Sequence, residues 1–281
     1  MKLRSIAIAF AVALAPLVGA AGPAQAQQVV NWRFYGLVPP THDHAKQLAA
    51  AFARVETATK GTLKIRSVFY GETPFKGGDA LTVLRDGQVE MTEWMPTFSV
   101  GTFPLLATPE MPFVVPKSMS AEEGIKRIDR GWDAPQMKAA VRKVVDDHGG
   151  EVLARYYYEP AQFWFNERVD NLDGFRGKRM RVHNPELGEL AARVGAVPIN
   201  VGYQDVYSAL QRGTLNAVIT GVGSLAGAKW DEVLRSGHIA NFQYARAHVL
   251  ISKKKLAELS SEHRKALIDE MSALQAHMAK W

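Results

Sequence analysis

The sequence predicts an α/β protein of two similarly built lobes with a ligand cleft between them, and three observations carry that prediction. Apolar residues recur at spacings of two and of three to four in turn, so strands alternate with helices along the chain. A helix, a glycine and a strand follow one another twice, closed by Gly87 and Gly213, and the strands end at Trp94 and Thr220, the same distance past each glycine. Between the two copies Glu159-Pro160 marks a change of direction suited to a crossing between lobes. Helix, glycine and strand occur together in any α/β protein, so the repeat gains force only beside the element order.

Taken in order, residues 29–35 read as a strand that runs into a turn with Pro39-Pro40. Ala45, Leu48, Ala49, Phe52 and Val55 then recur at helical spacing, and Gly61 stops the helix. Residues 62–70 alternate Leu63, Ile65, Ser67 and Phe69 as a second strand, and strand, helix, strand implies a right-handed parallel crossover. Residues 79–85 form a short helix and 88–94 a strand; 104–116, rich in proline and apolar, is expected as an irregular segment under the cleft. Gly131 and Pro135 divide 121–147 into two helices. Residues 152–158 make the strand before the crossing and 163–165 an aromatic strand, suited either to a core or to a cleft wall. A helix over 187–194 ends at Gly195, a strand carries Val197, Ile199 and Val201, and a helix at 205–212 leads into the strand 214–220. One more strand, 247–251, precedes helical segments with Leu256, Leu259, Leu267 and Met271. The expected division is lobe I over 27–157, lobe II over 158–245, and 246–281 returning to lobe I or bridging the two.

The first 26 residues read as a secretory signal peptide: Lys2 and Arg4 precede an apolar run over 6–18, and Ala24-Gln25-Ala26 is a small-x-small cleavage site. The chain carries 34 basic and 28 acidic residues, a formal charge of +6, of which the two leader cations contribute a third. Its longest basic run is Lys253-Lys254-Lys255, so no nucleic-acid partner is expected, while a mild positive bias favours the arrival of small anions. The absence of cysteine excludes thiol catalysis, thiolate zinc and disulfide frameworks.

Residues 177–184 hold the candidate site. Alternation puts Met180 and Val182 on one face of a short strand and Arg179, Arg181 and His183 on the other, which leaves a guanidinium near the strand's carboxyl end, where open α/β sheets collect ligands. Arg181 is therefore a candidate carboxylate receptor, its planar fork matching two oxygens; a surface basic cluster is the plainer alternative. Three features suggest other chemistry and stop short of it. His42-Asp43-His44 offers two imidazoles that a turn-to-helix junction would splay unless a third ligand arrives from elsewhere, and capping of the helix by Asp43 is the preferred reading, so no metal is expected. Gly221-Val222-Gly223-Ser224 with Gly227 lacks the lysine of a phosphate-binding loop and reads as a tight turn. No serine sits on a nucleophile elbow, and no cofactor motif is present.

The run from Gly177 to Gly221, with its Gly-Lys-x-x-Arg-Val and Val-Tyr-x-Ala-Leu-Gln-x-Gly segments, and the earlier run from Tyr70 to Trp94 resemble the substrate-binding proteins of tripartite ATP-independent periplasmic (TRAP) transporters, the DctP-like family. The resemblance implies the two-lobe periplasmic binding protein fold, in which hinge strands let the lobes close on an organic acid. It also implies a periplasmic location, a TRAP membrane permease as partner, and no catalysis. By motif, the arginine that clamps the ligand carboxylate is Arg181, the aromatic residue before Asp-Val-Tyr is Tyr203, the ligand-side strand end is Thr220, and Trp94 closes the matching strand of the other lobe. Relatives often carry asparagine at the position of Thr220, aspartate at that of Asn216, and a second arginine near Ala161-Gln162, where Gln162 is the nearest polar substitute. With Trp94, Phe163, Trp164 and Tyr203 these departures favour a flat monocarboxylate, such as an aromatic or 2-oxo acid, over sialic acid or a simple dicarboxylate, and His183, Gln162 and Thr220 are suited to its remaining oxygen atoms. The chain ends at Trp281 inside a helical segment where relatives usually continue through a further helix. Two other uses of the fold stay open: an exported ligand-sensing receptor, and a periplasmic enzyme with His183 or His44 as base.

Overall fold

The computed structural model describes residues 29–69 and 71–279; the signal peptide expected over 1–26 and the terminal Trp281 lie outside the described residues. The first run of elements is β1 (Val30–Gly36), α1 (Asp43–Ala58), β2 (Leu63–Phe69), α2 (Ala80–Arg85), β3 (Met91–Trp94), α3 (Ala121–Asp133), α4 (Pro135–Asp147) and β4 (Gly150–Tyr157). The second is β5 (Gln162–Phe165), β6 (Arg179–Val182), α5 (Pro185–Arg193), β7 (Val197–Asn200), α6 (Tyr203–Gln211), β8 (Ala217–Thr220), α7 (Val222–Gly227) and β9 (Ser236–His238). The chain then closes with β10 (Arg246–Ser252), α8 (Lys253–Glu258) and α9 (Ser261–Met278).

These strands form two five-stranded sheets, ordered β2-β1-β3-β10-β4 and β7-β6-β8-β5-β9. In each sheet three strands run parallel, as βαβ connections require, and the strands on the far side of the junction pair antiparallel. Because β10 inserts between β3 and β4, the chain crosses between lobes twice, after β4 and before β10. The two crossings lie side by side, tied by Tyr158 N–H to Ala245 O (2.8 Å) and Ala161 N–H to Gln243 O (2.7 Å). A short two-stranded ladder of this kind is a hinge that bends without breaking either sheet.

Each sheet is buried on both faces. On one side of the lobe I sheet Leu48, Phe52 and Val55 of α1 pack with Leu267, Met271 and Leu274 of α9; on the other, Leu81, Leu84, Ile128 and Val144 pack around Trp94. Each such side chain stabilises the fold by about 1.5–3 kcal/mol through burial. Lobe II repeats the plan, with Leu187 and Ala191 of α5 over Phe163, Phe165 and Met180, and Val206 and Leu210 of α6 over Val218 and Trp230.

Several local expectations change. The N-cap of α1 is His42, whose Nδ1 accepts from His44 N–H, while Asp43 is the first helical residue and is exposed. The buried stripe of α1 includes Ala51 where the spacing predicts Ala49. Residues 104–110 form a 3-10 turn whose Leu106 packs into the core with α3 and α4, so this segment buttresses lobe I away from the cleft. The glycine-rich turn at 221–227 contains a helix, α7.

Candidate functional site

A cleft of about 660 Å³ opens between the lobes, lined from lobe I by Leu37, Val38, Met95 and Phe98, from the hinge by Glu159 and Gln243, and from lobe II by Arg181, His183, Tyr203 and Thr220. This volume falls within the range of small-molecule sites. Arg181 stands at the centre of the lobe II wall because β6 is flanked by β7 and β8, which leaves its alternate side chains either in the core or at the cleft. It is 4% exposed. Its Nε donates to Val201 O at 3.2 Å, its Nη1 lies 3.4 Å from His183 Nδ1, and its guanidinium carbon lies 5.8 Å from the centre of the Trp230 ring. Backbone carbonyl, imidazole and indole face together hold a cation in a poorly hydrated wall.

The groups around it are held in defined protonation states. Burial, with Arg181 beside it, pushes the His183 imidazole down to about 3, so it is neutral and its Nδ1 accepts. Burial pushes the Tyr203 phenol up to about 12, and its O–H donates to Ser224 O at 3.2 Å. Burial also raises the Glu159 carboxyl above the usual carboxylate range, with Asp43 adding to the shift.

Of the residues read from the sequence, Arg181, His183, Tyr203 and Thr220 come together on the cleft. Trp94, Gln162 and Trp164 do not line it. Trp94 is 1% exposed in the lobe I core, its Nε1 donating to Ser99 Oγ at 3.0 Å; the period of two along β3 turns it inward, and the chain reaches the cleft one residue later, at Met95. Gln162 accepts from the N–H groups of Ala240 and Asn241 at 2.7 and 2.9 Å and donates to Pro160 O, so its amide is consumed in fastening the second crossing to β5. Trp164 lies over Gly237 of β9 and donates from Nε1 to Thr220 O at 3.0 Å, supporting the cleft wall from behind. Phe163 stacks on Phe242 in the lobe II core. The sequence reading missed Met95, Phe98, Glu159, Asn200 and Gln243 as cleft residues. Only Glu159 carried a signal, as an acidic residue at the crossing.

Two lobes joined by paired crossings, with a buried guanidinium facing the gap between them, define a ligand-binding protein of the two-lobe type. The chain belongs to the DctP family, the bacterial extracellular solute-binding proteins of family 7, whose model matches residues 36–280. It is 26% identical over 272 residues to the 2,3-diketo-L-gulonate-binding periplasmic protein YiaO of Escherichia coli, a match covering 95% of this chain and 78% of that protein. Among solved structures it is similar to DctP7 of Bordetella pertussis, an extracytoplasmic solute receptor binding pyroglutamic acid (TM-score 0.77, 20% identity, 90% of this chain and 80% of that one). It is likewise similar to a TRAP periplasmic solute-binding protein of Pseudomonas aeruginosa with bound L-malate (TM-score 0.75, 19% identity, 89% and 85%).

Proposed function

We propose that this chain is the periplasmic receptor of a TRAP-type permease and that it captures a small organic monocarboxylate, such as a 2-oxo or aromatic acid, between its lobes. The observation that carries the reading is Arg181, a cation 4% exposed at the cleft wall with a carbonyl and an imidazole fixing its orientation. A carboxylate there forms charge-assisted bonds in a poorly hydrated setting. The charge count of the wall favours one carboxylate over two: among the described residues the cleft holds, beside Arg181, one further cation, the exposed Lys76, against Glu159, Asp79 and Asp205. A second carboxylate on the ligand would meet these acids. Phe98, Met95 and Leu37 offer apolar area to a flat or carbon-rich remainder. Diketogulonate and pyroglutamate, bound by two of the three relatives named above, are both monocarboxylates, and the first is a 2-oxo acid; the third relative holds malate, a dicarboxylate.

Binding of this kind asks for no chemistry at the ligand, which should be recovered from the complex unchanged. Closing the lobes about the paired crossings buries the acid and reshapes the outer surface presented to a membrane partner. The test is calorimetry of the parent and Arg181→Ala with pyroglutamate, a series of 2-oxo and aromatic acids, and malate. Loss of a desolvated arginine is expected to weaken binding by about 2–5 kcal/mol, roughly 30- to several-thousand-fold. Equal affinities in parent and variant would remove Arg181 from the site, and tighter binding of malate than of every monocarboxylate would overturn the ligand class.

A further inference from the structure

We propose that His42, His44 and Glu159 form a binding site for a first-row divalent metal ion such as Zn²⁺, set where the start of α1, the first crossing and α7 meet. The third ligand that the His42-Asp43-His44 run lacked in the sequence arrives from the hinge: one ligand atom from each of the three residues lies within 4.8 Å of the others. The two rings stack at 4.9 Å and 30°, so the helix junction brings them together where splaying was expected. His42 is fully buried and His44 is 4% exposed.

The second observation is independent of the clustering. His42 Nε2, His44 Nδ1 and Glu159 Oε2 are each buried, and none has a hydrogen-bond partner among the described residues. An orphaned buried polar atom is costly, and one on each of three residues whose ligand atoms gather within 4.8 Å points to a shared occupant. Two imidazole nitrogens and one carboxylate oxygen suit zinc and its neighbours, whereas Ca²⁺ and Mg²⁺ take oxygen ligands throughout. A tetrahedral site with bonds of about 2.0–2.1 Å has edges of roughly 3.3 Å, so modest side-chain rotations close the set.

The position gives the site a consequence. Thr41 Oγ1 donates to Gly227 O, and Gly223 approaches Glu159 so closely that a Cβ there would lie 2.2 Å from Oε1. Both sides of the cluster therefore touch α7 of lobe II, and an ion held by α1 and the crossing would steady this lobe arrangement. Binding at His42 Nε2 puts the ring proton on Nδ1, which now accepts from His44 N–H at 3.2 Å, so the ion releases that cap bond.

The experiment uses the untagged chain, stripped with chelator and free of organic acid, titrated with Zn²⁺, Ca²⁺ and Mg²⁺ by calorimetry. One Zn²⁺ per chain is expected, with a raised melting temperature and a shifted His44 amide resonance, and no effect of the alkaline-earth ions. Glu159→Gln and His44→Gln act on different elements, and each is expected to weaken Zn²⁺ at least about 100-fold with the circular dichroism spectrum retained. If only one variant folds, that one decides. No stoichiometric binding by the parent, the mark of a site filled by water alone, would overturn the proposal, as would unchanged affinity in a folded variant. Because no acid is present, neither outcome bears on whether Arg181 receives a carboxylate, although an ion on Glu159 would remove that acid from the charge count of the cleft wall.

Discussion

Asn184 does two things at the end of β6. Its Oδ1 accepts from Leu187 N–H at 2.8 Å and caps α5, while its Nδ2 donates to Thr97 Oγ1 of lobe I at 2.5 Å. The second bond joins the lobes directly, a few residues from Arg181, with both partners buried. The two effects can be separated. Thr97→Val removes the acceptor and leaves the cap, stranding a buried N–H, and is expected to cost about 1–3 kcal/mol. Asn184→Ala loses the cap as well and is expected to cost about 1 kcal/mol more. Urea denaturation of the two variants checks the order; a Thr97→Val protein as stable as the parent would show that the bond contributes nothing. Arg181 was legible at this scale because alternation along one strand fixes which face a side chain takes. Trp94 was not, since a strand end read from sequence is uncertain by one residue, and one residue turns a side chain from cleft to core. Gln162 failed differently: its polarity is satisfied by backbone N–H groups some eighty positions away in the chain, which no local pattern reveals.

Among elements, α7 shows how a glycine-rich run supports function without any phosphate-binding role. A Cβ at Gly221 would lie 2.8 Å from the backbone oxygen of Glu159, and one at Gly223 would lie 2.2 Å from Glu159 Oε1. The closeness of the two contacts does not rank their cost. The oxygen facing Gly221 belongs to the crossing itself and cannot move without it, whereas the carboxylate facing Gly223 can rotate aside. Gly221→Ala is therefore expected to destabilise by about 1–3 kcal/mol, as overpacking does, and Gly223→Ala by clearly less, helped by the better helix propensity of alanine. Melting curves of the pair test this, and a reversed order would mean that the crossing yields more readily than the carboxylate. The helices and parallel strands were legible because their stripes are periodic. The short α7 was not, because its glycines hide a helical stripe, nor was β9, because three residues are too few to establish a period. The convergence of His42 and Glu159 depends on a tertiary contact between segments more than a hundred residues apart, so the metal-like trio was half visible at best.

At the scale of the molecule, stability depends on the strand that returns to lobe I, and this makes it sensitive to pH. Glu110 is 2% exposed and lies under the second crossing: its Oε1 accepts from Arg246 N–H at 2.6 Å and from Trp132 Nε1 at 3.1 Å, and its backbone oxygen accepts from Gln243 Nε2 at 2.9 Å. Burial pushes its carboxyl from 4.5 up to about 8. The folded chain thus keeps a proton that the unfolded chain releases above 4.5, so this contribution is complete below 4.5 and is lost as pH rises to about 8. His183 and His248 act in the opposite sense. Burial holds both below the ordinary imidazole value of 6.5, to about 3 for His183, so their contribution is complete above 6.5 and is lost as pH falls. Between pH 6.5 and 8 the histidines have nothing further to add, and the slope comes from Glu110 together with the buried carboxyls of Glu93 and Glu159, which burial raises in the same sense; Glu110 contributes up to about 1.4 kcal/mol per pH unit or about 2 kcal/mol across the interval. The melting temperature is expected to fall from pH 6.5 to 8 in the parent and to fall clearly less in Glu110→Gln, which keeps the acceptor for Arg246 and Trp132 and has no proton to lose at this position. Scanning both proteins by differential calorimetry decides the matter: parallel curves would mean that Glu110 is already ionised at neutral pH, and that Arg246, 4% exposed beside Asp129, neutralises it in place.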